Sequence, residues 1–562
     1  MISVIYKKTD LRYIFFKTDK PKELILLEQY LNKIPQYMFL PSFRGVPKPE
    51  VFLNKFTSND GQLIYYCHSG LWKTIYDWCK VNGIEIKGVD DYFKYTDFKL
   101  TIEEFTQYVK NWNLNLNPYE YQIKAAWLIL KYRQSLSQLA TRAGKTLIAY
   151  IVLRYMLENG AKNILMVVPS IQLVKQGKED FENYQEFFKS ETIWAKSELC
   201  ESSNITIGTY QSLVQRADKK SKKYNPKFFN KFDVVLIDEA HHLVCKSINT
   251  ILNQDFLKHV KLKFGFTGTL PQEHTIDSFC CHSLMGPTIQ DITTAELVEE
   301  GFLAKPNITQ IRIKYKDDEE LTKDYIKCGE YLNSSYKLNN KGSKILLPKE
   351  QREFTIQHEK VLPYVLQQVK TQYNAEEYKQ YLIDLCKAKG SNLLMLEQMI
   401  IHRSEKRLGI IKDIIDNNSG NCIIFAHHTE YLKLMKSYFE KVYQNRPIYI
   451  IEGSSTLKKR QDIINKMLTD KDAILFASYG CCSTGITFKN IDYGVFAQSF
   501  KSEIVNLQSI GRGLLKTDEK DTFYLYDIVD WLPTKKLYTQ GLAKIRTYND
   551  KKFEYTIINK QL

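Results

Sequence analysis

The chain has 562 residues, 44% of them hydrophobic and 25% charged, enough for roughly three or four domains with cores of their own, which excludes a disordered scaffold. Lys and Arg outnumber Asp and Glu by 79 to 64, a net charge of +15; this suits a polyanionic partner without naming one. No stretch approaches the ~20 apolar residues of a membrane helix and the N-terminus has no apolar signal core; the eleven cysteines include no C-x-x-C pair, so a cytosolic protein is expected, with neither a disulfide framework nor a zinc ribbon.

Residues 1–112 read as a small α+β unit. VIYKK, LRYIFFK and GQLIYYCHSG alternate as strands do, while KELILLEQYLNKI and LWKTIYDWCKVNG carry helical spacing. Tyr37, Phe39, Phe43, Arg44 and Lys48 form an aromatic and basic stretch. It could dock nucleic acid, with cations on phosphates and rings against sugars or bases, or be core aromatics flanked by solvated lysines. Asp77 with Glu85-Ile86-Lys87 has the outline of a nuclease metal site, but the helix pattern around Asp77 and the alternation around Glu85 predict solvated faces. Cys280, Cys281, His282 and His274 are not expected to converge on a metal, because neighbouring side chains rarely share one ion.

From residue 113 the pattern changes. Tyr119 and Gln122 precede a helix, IKAAWLILKY; an amide can pair with an adenine edge and a ring can stack on its face, which would select ATP. Next comes LATRAGKTLI. Gly144 lets backbone N–H groups close on phosphate oxygens, Lys145 reaches the β/γ-phosphates and the Thr146 hydroxyl ligates Mg²⁺. Leu139 stands where the usual pattern has its first glycine. Leu147, Ile148, Ile151, Val152 and Tyr155 continue at helical spacing, so a helix N-terminus would face the phosphates.

Four apolar runs follow, each ending in a polar turn: NILMVVPS, NITIGTYQS, FDVVLIDEAHH and KFGFTGTL. Fully apolar strands alternating with helices predict a parallel sheet covered on both faces. Asp238 is placed to hold Mg²⁺ and Glu239 to orient and deprotonate the attacking water.

Taken in order, ATRAGKT, VVPSIQLVKQ, IGTYQSL, DEAHH, FTGTL and ELVEEGFLAKP resemble the first motor domain of superfamily 2 helicases. Residues 315–402 lack a strand–turn–helix rhythm and read as a helical insertion, either a solvated elaboration or a contact for DNA or a partner. From Glu405 a second α/β pattern begins, with GSSTLKKR, ASYGCCSTGITFKN and QSIGRGLL matching the family's second motor domain.

The layout as a whole resembles the phage UvsW-like helicases. The fold class expected is α/β: the resemblance implies two tandem RecA-like parallel-sheet motor domains with a small α+β N-terminal domain, and does not account for the helical insertion read over 315–402. The boundaries are a DNA-binding domain over 1–112, motor domain 1 over 113–304, the start of domain 2 with the insertion over 305–402, and motor domain 2 over 403–562. It implies a DNA-stimulated ATPase that unwinds or remodels branched DNA, with ATP and Mg²⁺ as cofactors and a host cytoplasm as compartment. DNA would be bound without sequence preference, and RNA–DNA hybrids and replication or recombination proteins are further candidate partners.

By the same resemblance Thr141 would join the nucleotide site, and Ser483, Thr484 and Gly485 would form a turn near ribose or backbone. Gln508 and Arg512 would face the triphosphate. Ser170, Gln172, Thr209, Gln211, Thr269, His427 and Thr484 would touch the sugar–phosphate chain, beside Arg44 in the N-terminal unit. One departure stands out. The second arginine of the Q-x-x-G-R-x-x-R signature falls on Leu515, with Lys516 next to it; Arg512 alone, Lys516, or weak hydrolysis are the open alternatives. Two other functions remain in view: an ATP-gated DNA-binding or annealing module with weak hydrolysis, and the motor subunit of a nuclease.

Overall fold

The computed structural model describes residues 1–7, 10–34, 38, 48–59, 61–88, 97–193, 203–252, 258–314, 336–338, 344–346, 405–479, 488, 490–499, 502–517, 520–531 and 536–562. The expectations for Tyr37, Phe39, Phe43 and Arg44, for Ser483, Thr484 and Gly485, and for most of 315–402 lie outside these residues. The chain divides into two units, Met1–Leu297 and Val298–Leu562. None of the described helices is long and apolar enough to cross a membrane.

The first unit opens with β1 (Ile2–Lys7), β2 (Asp10–Thr18), β3 (Leu53–Thr57), β4 (Leu63–His68) and β5 (Ile86–Lys87), in the order β3-β4-β2-β1-β5. All pairs are antiparallel except β1 with β5. Alternation puts Ile14 and Phe16 of β2 inward, where they meet Leu24, Leu27 and Leu31 of the helix Pro21–Leu31 and Ile75 and Cys79 of the helix Trp72–Val81. Each such side chain, fully buried, contributes ~1.5–3 kcal/mol. Asp77 lies on the outer face of its helix, paired with Lys73, and Glu85 pairs with Lys87 at 3.1 Å; both carboxylates are exposed.

The second sheet consists of β6 (Gln134–Leu139), β7 (Ile164–Val168), β8 (Ser190–Ile193), β9 (Ile205–Thr209), β10 (Val234–Asp238), β11 (Leu262–Thr267) and β12 (Thr288–Ile292). Its order is β12-β6-β11-β10-β7-β9-β8 and every pairing is parallel. β7, β9 and β11 are buried along their whole length, as strands covered on both faces must be.

The two sheets of this unit share one interior. The helix Ile276–Met285 sends Phe279 into the N-terminal core and Cys281, Leu284 and Met285 into the parallel-sheet core. Buried Ser69 Oγ donates to the Leu11 carbonyl at 3.0 Å and lies 3.1 Å from Gln134 Nε2 at the start of β6. Gly70 is the closest point: a Cβ there would lie 2.1 Å from the His282 carbonyl oxygen and 2.8 Å from the Gly286 nitrogen. Gly70→Ala is therefore expected to destabilise this unit by about 1–3 kcal/mol or more, read as a lowered urea midpoint; an unchanged midpoint would mean that the N-terminal sheet is not wedged against that helix.

The second unit holds β13 (Lys305–Lys314), the short antiparallel pair β14 (Tyr336–Leu338) and β15 (Lys344–Leu346), β16 (Cys422–Ala426), β17 (Ile448–Ile451), β18 (Ile474–Ser478), β19 (Tyr493–Phe496), β20 (Thr522–Trp531) and β21 (Glu554–Gln561). All but the short pair form one parallel sheet, β17-β18-β16-β19-β20-β13-β21. Inside 315–402 the described residues are thus strand rather than helix.

Candidate functional site

The chemistry-bearing residues of the first unit gather at the carboxyl ends of β6, β11 and β10, which are adjacent in the sheet. After β6 the chain turns through residues 140–144, with Arg142 at φ 75° and Gly144 at φ 77°, and enters the helix Lys145–Glu158. Left-handed backbone at a non-glycine costs ~1–3 kcal/mol and persists only where neighbours enforce it. Here Ala140 N–H donates to the Ile292 carbonyl at 2.9 Å, and Tyr121 Oη and Gln122 Nε2 both donate to the Ala143 carbonyl, at 3.0 and 3.1 Å.

Gly144 fits this cradle closely, since a Cβ there would lie 2.2 Å from Gln122 Nε2. Leu147 and Ile148 N–H both donate to the Gly144 carbonyl, at 2.9 and 3.0 Å, closing the first turn, and the positive end of the helix dipole makes this N-terminus an anion seat. Thr146, one residue into the helix, is half-buried. Gln122 itself is buried, with its amide spent on the Ala143 carbonyl and its Oε1 accepting from Tyr119 N–H at 2.9 Å. Tyr119 is 54% exposed and stacks on Tyr121, leaving an aromatic surface beside the loop.

Lys145 Nζ donates to Glu239 Oε1 at 2.8 Å. Glu239 sits at φ 52° just past β10, and its N–H donates to Asp238 Oδ1 at 2.9 Å. Burial alone would raise the Glu239 carboxyl; the Lys145 ammonium and His241 outweigh it and hold the group well below the usual carboxylate range. Asp238 is pushed the other way, by burial and then by the adjacent Glu239 charge. Two half-buried carboxylates face one ammonium, and the remaining negative charge with hard oxygen donors from Asp238 and Thr146 fits Mg²⁺. Glu239 Oε2 is buried without a hydrogen-bond partner among the described residues, as a group aimed at an incoming water would be.

His241 joins this site to the end of β11. Its Nδ1 lies 2.9 Å from Thr267 Oγ1 and 3.4 Å from Glu239 Oε2. Because the Thr267 hydroxyl donates to the Thr269 carbonyl at 2.9 Å, it can only accept from His241, which assigns the proton to Nδ1. Gly268 lies over the loop, where an added Cβ would be 3.6 Å from Thr141 Oγ1 and 3.8 Å from Lys145 Nζ. Sequence reasoning gave no role to Tyr121, to His241, or to Gln138, whose Oε1 accepts from Leu270 N–H at 2.9 Å; β6 reads QSLSQL, so nothing in its pattern set the last apart.

The backbone-contact candidates of this unit lie along the same sheet edge. Ser170 caps the helix Ile171–Tyr184, accepting from Leu173 N–H, and Thr209 caps the helix Tyr210–Ala217, accepting from Ser212 N–H, both at 3.3 Å. Thr209 is buried and also donates to Ser212 Oγ, so its hydroxyl is committed internally. Gln211 Nε2 donates to the Pro169 carbonyl at 3.4 Å. Gln172 Oε1 and Thr269 Oγ1 are buried atoms with no partner among the described residues.

In the second unit exposed His427 follows β16, and its N–H and that of His428 both donate to Gln498 Oε1, at 2.9 and 3.1 Å; Gln498 is a support that the sequence reading passed over. Gln508 and Arg512, one turn apart on the helix Glu503–Gly513, are both largely buried. Leu515 is half-buried and bridged to Leu303, while Lys516 is exposed.

The family described as "Type III restriction enzyme, res subunit" matches residues 113–272, and "Helicase conserved C-terminal domain" matches residues 406–514. The chain is 26% identical over 467 residues to the ATP-dependent DNA helicase uvsW of Enterobacteria phage T4, covering 79% of this chain and 78% of that protein. It is 28% identical over 230 residues to the DNA 3'-5' translocase XPB2 of Sulfurisphaera tokodaii, covering 40% of this chain and 47% of that one. A solved structure, the ATP-dependent Type ISP restriction-modification enzyme LlaBIII bound to DNA, matches with a TM-score of 0.50 at 14% identity over 79% of this chain and 32% of that chain, a likeness of fold. With two parallel-sheet domains of this order, a phosphate loop facing Asp238 and Glu239, and both family matches in place, the chain carries superfamily 2 helicase domains, is an ATP hydrolase of helicase type, and is similar to the phage UvsW protein.

Proposed function

We propose that this chain is an ATP-driven DNA motor that unwinds or remodels branched DNA. The observation that carries the reading is the Lys145–Glu239 pair at 2.8 Å, with the second Glu239 oxygen buried, 3.4 Å from His241 Nδ1, and accepting no hydrogen bond among the described residues. Lys145 is the side chain that a β/γ-phosphate would claim, and in taking it the triphosphate would release Glu239 to accept a proton from the attacking water. Mg²⁺, held by Asp238 and Thr146, would neutralise charge on the phosphates. Gln122 and Tyr121 hold the loop in shape, and Tyr119 offers the adenine a ring. Arg512 would supply positive charge to the transferred phosphoryl group.

DNA would be held through its phosphates. Because the Ser170 and Thr209 hydroxyls serve as helix caps, the donors toward the strand are the helix N-termini they organise. His427, exposed in the second unit, would add a contact there. Resemblance to uvsW and XPB2, a helicase and a translocase by name, supports DNA as substrate.

The test is steady-state ATP hydrolysis without DNA and with single strand, duplex and a four-way junction of matched sequence. Stimulation greatest on the junction is expected. The half-buried Leu515 at the second-arginine position favours one rival, an ATP-gated binding or annealing module. That rival is supported, and the motor reading lost, if no DNA raises the rate while ATP still changes DNA affinity.

A further inference from the structure

The proposed phosphate track lies at the carboxyl ends of the first unit's parallel sheet. A second basic surface lies at the opposite ends. The helix Tyr210–Ala217 starts at the carboxyl end of β9 and returns the chain to the amino end of β10. There Asp233 Oδ2 accepts from Lys162 and Asn163 N–H, fixing that segment beside the start of β7.

Between them, residues 216–231 carry seven Lys or Arg and a single acid, Asp218. The segment has an internal frame. Asn225 N–H donates to the Arg216 carbonyl at 2.9 Å, Lys220 N–H to Asp218 Oδ1 at 2.9 Å and Lys223 N–H to Ser221 Oγ at 3.1 Å. Phe228 and Phe229 anchor its far end in the parallel-sheet core. Lys219, Lys220, Lys222, Lys223 and Lys227 are all exposed, and none makes an ion pair among the described residues. Tyr224, 39% exposed, stands among them.

We infer that this surface is a second nucleic-acid contact, which holds the backbone of another arm of a branched substrate while the motor track engages the first. An ordered loop of lysines without ion pairs around an exposed ring offers counter-charge to phosphates with one stacking or sugar contact, and no base readout. Its position across the sheet from Lys145 and Glu239 keeps it clear of the strand on which the motor acts. A single duplex cannot follow the carboxyl-end track and also cover this edge without bending round the domain; a junction supplies a second arm. The inference rests on the motor reading above.

The test compares the full-length chain with two variants, K219E/K220E/K222E/K223E and K219Q/K220Q/K222Q/K223Q, the second preserving fold should charge reversal perturb it. Binding to a four-way junction is measured against salt, together with ATP hydrolysis saturated by a short single strand. Junction affinity is expected to fall at least tenfold for the Glu variant and less for the Gln variant, with a log–log salt slope shallower by about 2–4. The single-strand-stimulated rate should stay within about twofold. Unchanged junction affinity and slope in both variants would overturn the proposal. An equal loss on single strand and junction would overturn it too, by placing the lysines on the main track. A wild-type ATPase indifferent to DNA would refute the motor reading, while the junction-binding comparison would still decide the surface.

Discussion

Glu239→Gln is expected to lower kcat for ATP hydrolysis by about 10²–10⁴-fold while ATP binding is retained or tightened. The two effects separate because Glu239 has two roles in this geometry. Its Oε1 accepts from Lys145 at 2.8 Å, so in the free protein the carboxylate occupies the ammonium that a triphosphate needs. An amide is a weaker partner, which leaves Lys145 easier to recruit. Its Oε2 is buried and free of hydrogen bonds among the described residues, and as an amide it can no longer take a proton from water. Lys145→Ala, by contrast, should weaken both binding and hydrolysis, and leave the half-buried Glu239 and Asp238 without their ammonium. Fluorescent-nucleotide titration beside single-turnover hydrolysis separates the cases. Hydrolysis by Glu239→Gln within about threefold of wild type would mean that another group activates the water.

How far this site could be read in advance depended on whether a residue acts through its own local motif or through a distant partner. Gly144, Lys145 and Thr146 sit on a strand–turn–helix whose apolar flanks are continuous, so their placement followed from spacing. Asp238 followed for the same reason, as the polar end of a buried strand. Gln122 is the instructive difference: its amide type suggested base recognition, but the amide holds the Ala143 carbonyl, 21 positions along the chain, a contact no local pattern encodes. Tyr121 acts the same way, and so does His241, whose proton position depends on where the Thr267 hydroxyl points. The N-terminal sheet was legible from alternation, but not its fusion to the parallel sheet through Gly70 and Phe279, because a glycine needed for close approach looks like any other glycine until its neighbour is known.

Asp530→Ala is expected to destabilise the second unit by about 3–5 kcal/mol. Arg407, at the start of the helix Glu405–Asp416, is fully buried. Its Nε and one terminal nitrogen bind the two Asp530 oxygens at 2.8 and 3.0 Å, that nitrogen also donates to the Ala497 carbonyl at 2.6 Å, and the other donates to Tyr431 Oη. Four of the five guanidinium N–H groups are thus accounted for, and good geometry with such added hydrogen bonds is the condition under which a buried pair repays its desolvation. Removing the carboxylate leaves a positive charge in the apolar core around β16, β19 and β20. Arg407→Met combined with Asp530→Leu should recover much of the loss, since an apolar pair of similar volume carries no desolvation penalty.

The loss should also be directional. Ala497 precedes Gln498, whose Oε1 holds the N–H groups of His427 and His428, so the Arg407 network supports the loop proposed to touch DNA. Asp527, on the same strand, has a separate set of partners in Lys544, Tyr548 Oη and Gln310 Nε2, and should hold its end of β20 in place. Hydrogen exchange resolved by peptide would therefore show faster exchange in β16, β19 and the 427–428 turn in Asp530→Ala, with the first unit unchanged and β13 less affected. Uniform loss of protection across the second unit would instead mean that the pair stabilises the whole sheet without positioning that loop.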